Sequence, residues 1–101
     1  MIMAVRVSSK SELLRKSEKF ADAKIALQVW LETAEQAEWS SLEEIRATYP
    51  ATDLIGKVAI FNIKGGNYRL IVRIEFAGQR IYVKEFLTHA GYNREAWKKW
   101  L

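Results

Sequence analysis

The residues best suited to chemistry fall in two stretches. One is Phe61-Asn62-Ile63-Lys64-Gly65-Gly66-Asn67-Tyr68-Arg69, read as a strand, a tight turn and the start of a second strand. The other is Thr88-His89-Ala90-Gly91-Tyr92, which follows a later strand and holds the chain's only histidine. Together they bring Lys, Arg, His, Tyr and Asn to one end of one sheet. Such a set can bind a phosphodiester and move protons without a metal, which points to RNA cleavage. In that chemistry a 2′-hydroxyl attacks the neighbouring phosphate. One group takes the 2′ proton, another gives a proton to the leaving 5′ oxygen, and fixed positive charge stabilises the phosphorane-like transition state. Arginine suits the last role because its planar fork binds two phosphate oxygens at once, and Arg69 is the first choice. His89 and Tyr92 are the acid–base candidates, since a histidine near its usual pKa of about 6.5 can take or give a proton at neutral pH. The plainer alternatives are a structural histidine and a tyrosine that anchors the core. Asn62, Lys64, Asn67, Arg73, Lys84 and Thr88 are candidates for binding RNA, with Tyr82 and Phe86 as platforms for unpaired bases.

The elements that position these residues follow from pattern. Met1 to Val7 reads as a short strand. Ser8 or Ser9 suits a helix cap, with Glu12 three residues after Ser9, and Leu13, Leu14 and Phe20 form that helix's apolar stripe. A break near Asp22 precedes a second helix whose core face is read as Ile25, Ala26, Val29, Trp30 and Ala34, with Ala37. Ser41 and Glu44 repeat the capping pattern for a short helix that ends at Tyr49, before Pro50. Residues 51–56 are expected as a loop. Three strands follow at about 57–64, 67–77 and 80–88. Gly65-Gly66 suits a type I′ turn and Gly78-Gln79 a type II′ turn. Asn93 can cap a last helix carrying Trp97 and Trp100.

The expected order is β-α-α-β-β-β-α, with a further short helix before the second strand. This is an α+β fold, an antiparallel sheet with helices on one face. The two turns predict that Asn62 faces Arg69, Phe61 faces Leu70, Arg73 faces Lys84, Leu70 faces Leu87 and Arg69 faces Thr88. The core face then holds Phe61, Ile63, Tyr68, Leu70, Val72, Ile74, Phe76, Ile81, Val83 and Leu87. The opposite face carries Asn62, Lys64, Asn67, Arg69, Arg73, Lys84 and Thr88, interleaved with Ile60, Ile71, Tyr82 and Phe86. Glu85 breaks this pattern by falling on the core side.

Composition agrees with a small enzyme or binding module. At 101 residues the chain, 1–101, is expected to form one domain with one modest core. Residues 1–56 hold seven Lys/Arg against nine Asp/Glu, and residues 57–101 hold nine against three. A basic C-terminal half implies an anionic partner, or simply a solvated basic surface. One histidine, no cysteine and no clustered carboxylates leave no ligand set, so neither a metal nor another cofactor is expected. No apolar run approaches the roughly 20 residues that span a bilayer, and no signal-peptide layout is seen. A cytoplasmic protein is expected.

At the quoted motifs, from Val58 to Val72 and from Thr88 to Tyr92, the chain resembles the HigB-type toxins of bacterial toxin–antitoxin systems, a branch of the RelE-like superfamily. The N-terminal helices, Trp39-Ser40-Ser41 and Tyr49-Pro50 fit that family in position. The resemblance implies an endoribonuclease that cleaves mRNA, usually on the translating ribosome, and arrests growth. It also implies a HigA-type antitoxin with a helix-turn-helix domain, through which alone operator DNA is bound. Carried over by motif, Asn67, Arg69, His89 and Tyr92 are the active-site residues, and Lys64 and Lys84 line the RNA path. The family often has an aspartate directly after the motif tyrosine, where this chain has Asn93. The alternatives are a RelE-fold toxin that poisons a non-RNA target such as DNA gyrase, and a non-catalytic RNA-binding module. No helix-turn-helix pattern supports a repressor.

Overall fold

A computed structural model describes residues 6–8 and 10–101. Strand β1 (Arg6–Ser8) leads into α1 (Lys10–Ser17), a 3-10 turn (Ala21–Ala23), α2 (Lys24–Gln36) and α3 (Leu42–Thr48). Then come β2 (Asp53–Ile55), β3 (Val58–Ile63), β4 (Tyr68–Glu75), β5 (Arg80–Thr88), α4 (His89–Asn93) and a closing 3-10 segment (Ala96–Trp100). The five strands form one sheet in the order β1-β5-β4-β3-β2. Strands β2 to β5 are antiparallel neighbours, and β1 lies parallel to β5 at one edge. The fold is the expected α+β one. The segment expected as a loop before the central strands contributes β2, which pairs with Val58–Ile60. Ser9 and Met1–Val5, part of the expected first strand and its cap, lie outside the described residues.

The main core lies between the helices and one face of the sheet. Trp30 and Phe61, both fully buried, meet edge to face at 5.2 Å, and Leu13, Leu27, Leu31, Ile45 and Leu70 close around them. Truncating either aromatic to alanine would cost about 3–5 kcal/mol, against a typical total stability of about 5–15 kcal/mol. The buried stripe of α2 is Leu27, Trp30, Leu31 and Ala34, rotated from the expected face of Ile25, Ala26, Val29, Trp30 and Ala34. Ile25 is 75% exposed and Val29 53% exposed, and Leu14 of α1 also faces outward. The two leucines override the β-branched residues because they alone complete an i, i+3, i+4, i+7 stripe with Trp30 and Ala34. Helix α3 forms as expected. Ser41 caps it by accepting the Glu44 N–H at 3.3 Å, and it stops at Tyr49.

The register across β3 and β4 matches the expectation, with Asn62 opposite Arg69 and Phe61 opposite Leu70. Lys64, Gly65 and Gly66 all have positive φ, at 52°, 64° and 90°. That geometry suits glycine and explains why the tight turn falls there.

The β4–β5 pairing differs. The chain turns over Phe76 to Gln79, where the Gln79 N–H donates to the Phe76 carbonyl at 3.1 Å. Gln79, not Gly78, takes the positive φ. Its side-chain amide offsets that strain by donating to the carbonyls of Phe76 (2.8 Å) and Trp39 (3.0 Å). This longer turn puts Tyr82, not Lys84, opposite Arg73. A bulge then falls at Lys84, between Val83 (opposite Val72) and Glu85 (opposite Ile71). One extra residue inverts every side chain beyond it. Phe86 therefore joins the core, Leu87 leaves it to lie opposite Arg69, Thr88 lies opposite Tyr68, and Glu85 no longer faces the core.

The sheet's second face, expected as polar, basic and aromatic, also carries an apolar cluster. Val58, Ile60, Ile71 and Trp97 bury one another there, with Leu87, Tyr92 and Trp100 packed around them.

Candidate active site

Arg69 starts the site. It is the second residue of β4, directly after the Gly65-Gly66 turn, and it is half-buried. Its Nη1 donates to the Gly66 carbonyl and to the Tyr68 carbonyl, the latter at 3.3 Å. The guanidinium carries five N–H donors. With Nη1 committed to the turn, the Nε–Nη2 edge keeps a donor pair with the geometry for two oxygens of one phosphate. The guanidinium also rests over the Tyr92 ring, 5.2 Å from its centre.

His89 and Tyr92 reach the same end of the sheet through α4. Thr88 caps that short helix, its Oγ1 accepting the Gly91 N–H at 3.0 Å. Gly91 keeps this cap tight, because a Cβ there would stand 3.3 Å from Thr88 Oγ1. The His89 N–H donates to the Asn67 carbonyl at 3.0 Å, joining α4 to the β3–β4 turn. The His89 ring is exposed, and its Nδ1 lies 3.3 Å from Asn93 Nδ2. In that orientation the amide donates to Nδ1, and a neutral ring carries its proton on Nε2. Asn93 is thus the last residue of α4 beside the histidine, not the cap of a further helix. The Tyr92 ring lies parallel to Trp97, with centres 5.1 Å apart and 8° between planes.

The structure therefore brings together Asn62, Asn67, Arg69, His89 and Tyr92. Asn62 is half-buried and borders a groove of about 120 Å³ with Tyr49, Pro50, Ala51 and Thr52. Asn67 is exposed at the end of the turn. Thr88 is close by, but its hydroxyl oxygen serves α4. Lys64 leaves the turn toward the helices and pairs with Asp22 at 3.1 Å. Tyr68 also donates its hydroxyl to Asp22, at 2.5 Å. These two bonds hold the Asp22 carboxyl below its usual range, the Tyr68 bond first, while the carboxylate and burial push the Tyr68 phenol up. The Lys64–Asp22 pair is exposed, so solvent screening leaves it a weak contribution, and a phosphate can compete for the lysine.

Arg73 and Lys84 stand apart from this group. Ile71 lies between Arg69 and Arg73 on β4, and Trp97 covers it. Lys84 sits at the bulge over Tyr82 (5.8 Å) and Trp100 (5.0 Å), while Trp100 donates its indole N–H to Glu85 at 3.0 Å. Of the two proposed base platforms, Phe86 is buried against Phe20 and Tyr68 and cannot serve, whereas Tyr82 remains half-exposed. Among the described residues, no group of three His, Cys, Asp or Glu side chains could hold a metal, and no helix is long and apolar enough to cross a membrane.

A family model described as the HigB toxin, a RelE-like toxic component of a toxin–antitoxin system, matches residues 23–95. This chain belongs to the HigB toxin family. The match spans Asn62, Asn67, Arg69, His89 and Tyr92. Among similar proteins, one named mRNA interferase HigB from Escherichia coli O6:H1 (strain CFT073) is 26% identical over 93 residues, covering 89% of this chain and 90% of its own length. The mRNA interferase toxin HigB of Escherichia coli strain K12 is 26% identical over 80 residues, covering 76% and 77%. As a HigB-family toxin, the protein is one half of a toxin–antitoxin system and has an antitoxin as its partner. What sequence reasoning missed at this HigB site is the contact of Trp97 with Tyr92. Its only trace was an aromatic residue five positions after the tyrosine. The Asp22 partnership with Lys64 and Tyr68 left no local trace, because 42 and 46 residues separate the partners.

Proposed function

We propose that this toxin is a metal-independent endoribonuclease that cleaves mRNA on the translating ribosome and so stops growth. The observation that carries this reading is the convergence of Arg69, His89 and Tyr92 at one end of the sheet, with the Arg69 Nε–Nη2 edge keeping a donor pair for phosphate oxygens. Arg69 binds the scissile phosphate through that edge and stabilises the charge that gathers on its oxygens in the transition state. The bond from O2′ to phosphorus forms as the bond to O5′ breaks. His89 and Tyr92 share the two proton transfers, one taking the 2′ proton and the other delivering a proton to O5′. The products are a 2′,3′-cyclic phosphate and a 5′-hydroxyl. Asn62 and Asn67 orient the nucleotides beside the phosphate, and the groove at Asn62 gives one base an apolar recess. Lys64, Arg73, Lys84 and Thr88 add contacts along the RNA backbone. The whole chain works as one domain in the cytoplasm. Its antitoxin is a HigA-type helix-turn-helix protein that carries the complex to operator DNA. The relatives named mRNA interferases support the RNA-cleaving reading.

The test is cleavage of mRNA on programmed ribosomes, followed by analysis of the new ends. Cyclic phosphate and 5′-hydroxyl ends are expected. Ends bearing a 3′-hydroxyl and a 5′-phosphate would overturn the mechanism, since 2′-hydroxyl attack cannot produce them.

A further inference from the structure

The C-terminal 3-10 segment has no role in the chemistry above, yet it touches the site. Trp97 is only 3% exposed and packs in the cluster with Val58, Ile60 and Ile71 on the sheet's second face. Its indole lies parallel to the Tyr92 ring, and its Nε1 donates to the Tyr92 carbonyl at 3.0 Å. Glu95 makes this return possible. It adopts a φ of 64°, and its N–H donates to the same carbonyl at 3.1 Å. Tyr92 is thereby held at its backbone by two donors and at its ring by the indole. The guanidinium of Arg69 rests over that same ring. A continuous path of contacts runs from the sheet through Trp97 and Tyr92 to Arg69.

We infer that Trp97 is a positioning residue of the cleavage site: by fixing Tyr92, it sets the orientation of the Arg69 fork toward the phosphate. Helix α4 has five residues, too few to be stable without tertiary support. The Tyr92 ring is half-exposed, so without the indole nothing in α4 itself would hold it. With both ring contacts made, the hydroxyl is the polar group that Tyr92 still offers, which suits proton transfer better than base stacking. The inference rests on the reading of Arg69 and Tyr92 as catalytic, and its test has one arm that does not.

Two variants separate positioning from fold support. Trp97→Phe keeps an aromatic ring on Tyr92, and Trp97→Leu keeps an apolar side chain in the cluster without the stack. Trp97→Leu is expected to lower kcat about ten- to hundredfold, the cost of a misplacement of about 1 Å, with KM and RNA affinity unchanged. Trp97→Phe is expected to retain the rate. The second arm is NMR of the Arg69 Nε–Hε group, whose guanidinium carbon lies 5.2 Å from the centre of the Tyr92 ring and so reports its ring current. Its resonance should move toward the random-coil position in Trp97→Leu and stay in Trp97→Phe, while Trp30 indole and Phe61 resonances hold in both. A Trp97→Leu protein with wild-type kcat and an unmoved Arg69 resonance would overturn the inference. So would equal loss in both variants with altered Trp30 and Phe61 resonances, because Trp97 would then only support the fold. If the wild-type chain cuts no RNA, the catalytic reading has failed, and the Arg69 resonance still decides whether Trp97 positions the guanidinium.

Discussion

Replacing His89 with alanine should separate its proposed proton transfer from everything else the site does. The His89 side chain is exposed, and among the described residues its hydrogen-bond contact is Asn93 Nδ2 at 3.3 Å. The bond that ties α4 to the β3–β4 turn comes from the His89 backbone N–H to Asn67, and alanine keeps it. Alanine is also the stronger helix former. Stability should therefore change by no more than about 0.5 kcal/mol, as for other exposed positions. RNA affinity should hold as well, because the substitution leaves the Arg69 guanidinium and its contacts in place. Loss of a positioned acid or base removes about 10²- to 10⁴-fold in rate, or about 2.7–5.4 kcal/mol of barrier at roughly 1.36 kcal/mol per decade. Single-turnover cleavage, binding anisotropy and a thermal melt on the same preparations give all three quantities. A variant that cleaves at the wild-type rate refutes a proton-transfer role. A variant whose melting temperature falls in step with its rate makes His89 structural.

Two further predictions follow from the site's surroundings. The Asp22 carboxyl lies below its usual value of 3.8 and the Tyr68 phenol above 10.0. The carboxylate's contribution is therefore present above pH 3.8 and lost as pH falls through the lower folded value, while the phenol's is present below pH 10.0 and lost as pH rises further. Wild-type and Asp22→Asn melting curves should differ between those limits and converge outside them; curves that stay parallel into acid would refute the link. Arg73 lies four residues from Arg69 on β4, about 13 Å at the usual strand rise. Arg73→Ala should weaken a long RNA more than a short one that reaches only Arg69, and lower the slope of log affinity against log salt by about 0.7. An equal loss on both RNAs would place Arg73 inside the site.

Much of this was legible in local pattern, because the deciding interactions were local. The Gly65-Gly66 turn set the Asn62–Arg69 pair through its own backbone geometry, and Ser41 and Pro50 bounded α3. The β4–β5 pairing was not legible, since it depends on Gln79 reaching the Trp39 carbonyl, 40 residues away, and on a bulge at Lys84. Alternation alone could not show that bulge, although Glu85 on the expected core face was its trace. The α2 stripe was misread because Ile25 and Val29 share a helical spacing that competes with that of Leu27 and Leu31. The burial of the second face under Trp97 depends on the positive φ at Glu95, which no residue type announced.

Arg69 is proposed as the centre at which this HigB-family toxin cuts mRNA during translation. Controlled expression of wild-type and Arg69→Ala chains in a bacterial host, with mapping of transcript 5′ ends, tests it most directly. New ends inside coding regions are expected with the wild-type chain, and a loss of about 10²- to 10³-fold with Arg69→Ala, as for removal of a charge-stabilising donor. Growth arrest by the wild-type chain without new ends, or the same cuts from Arg69→Ala, would contradict it.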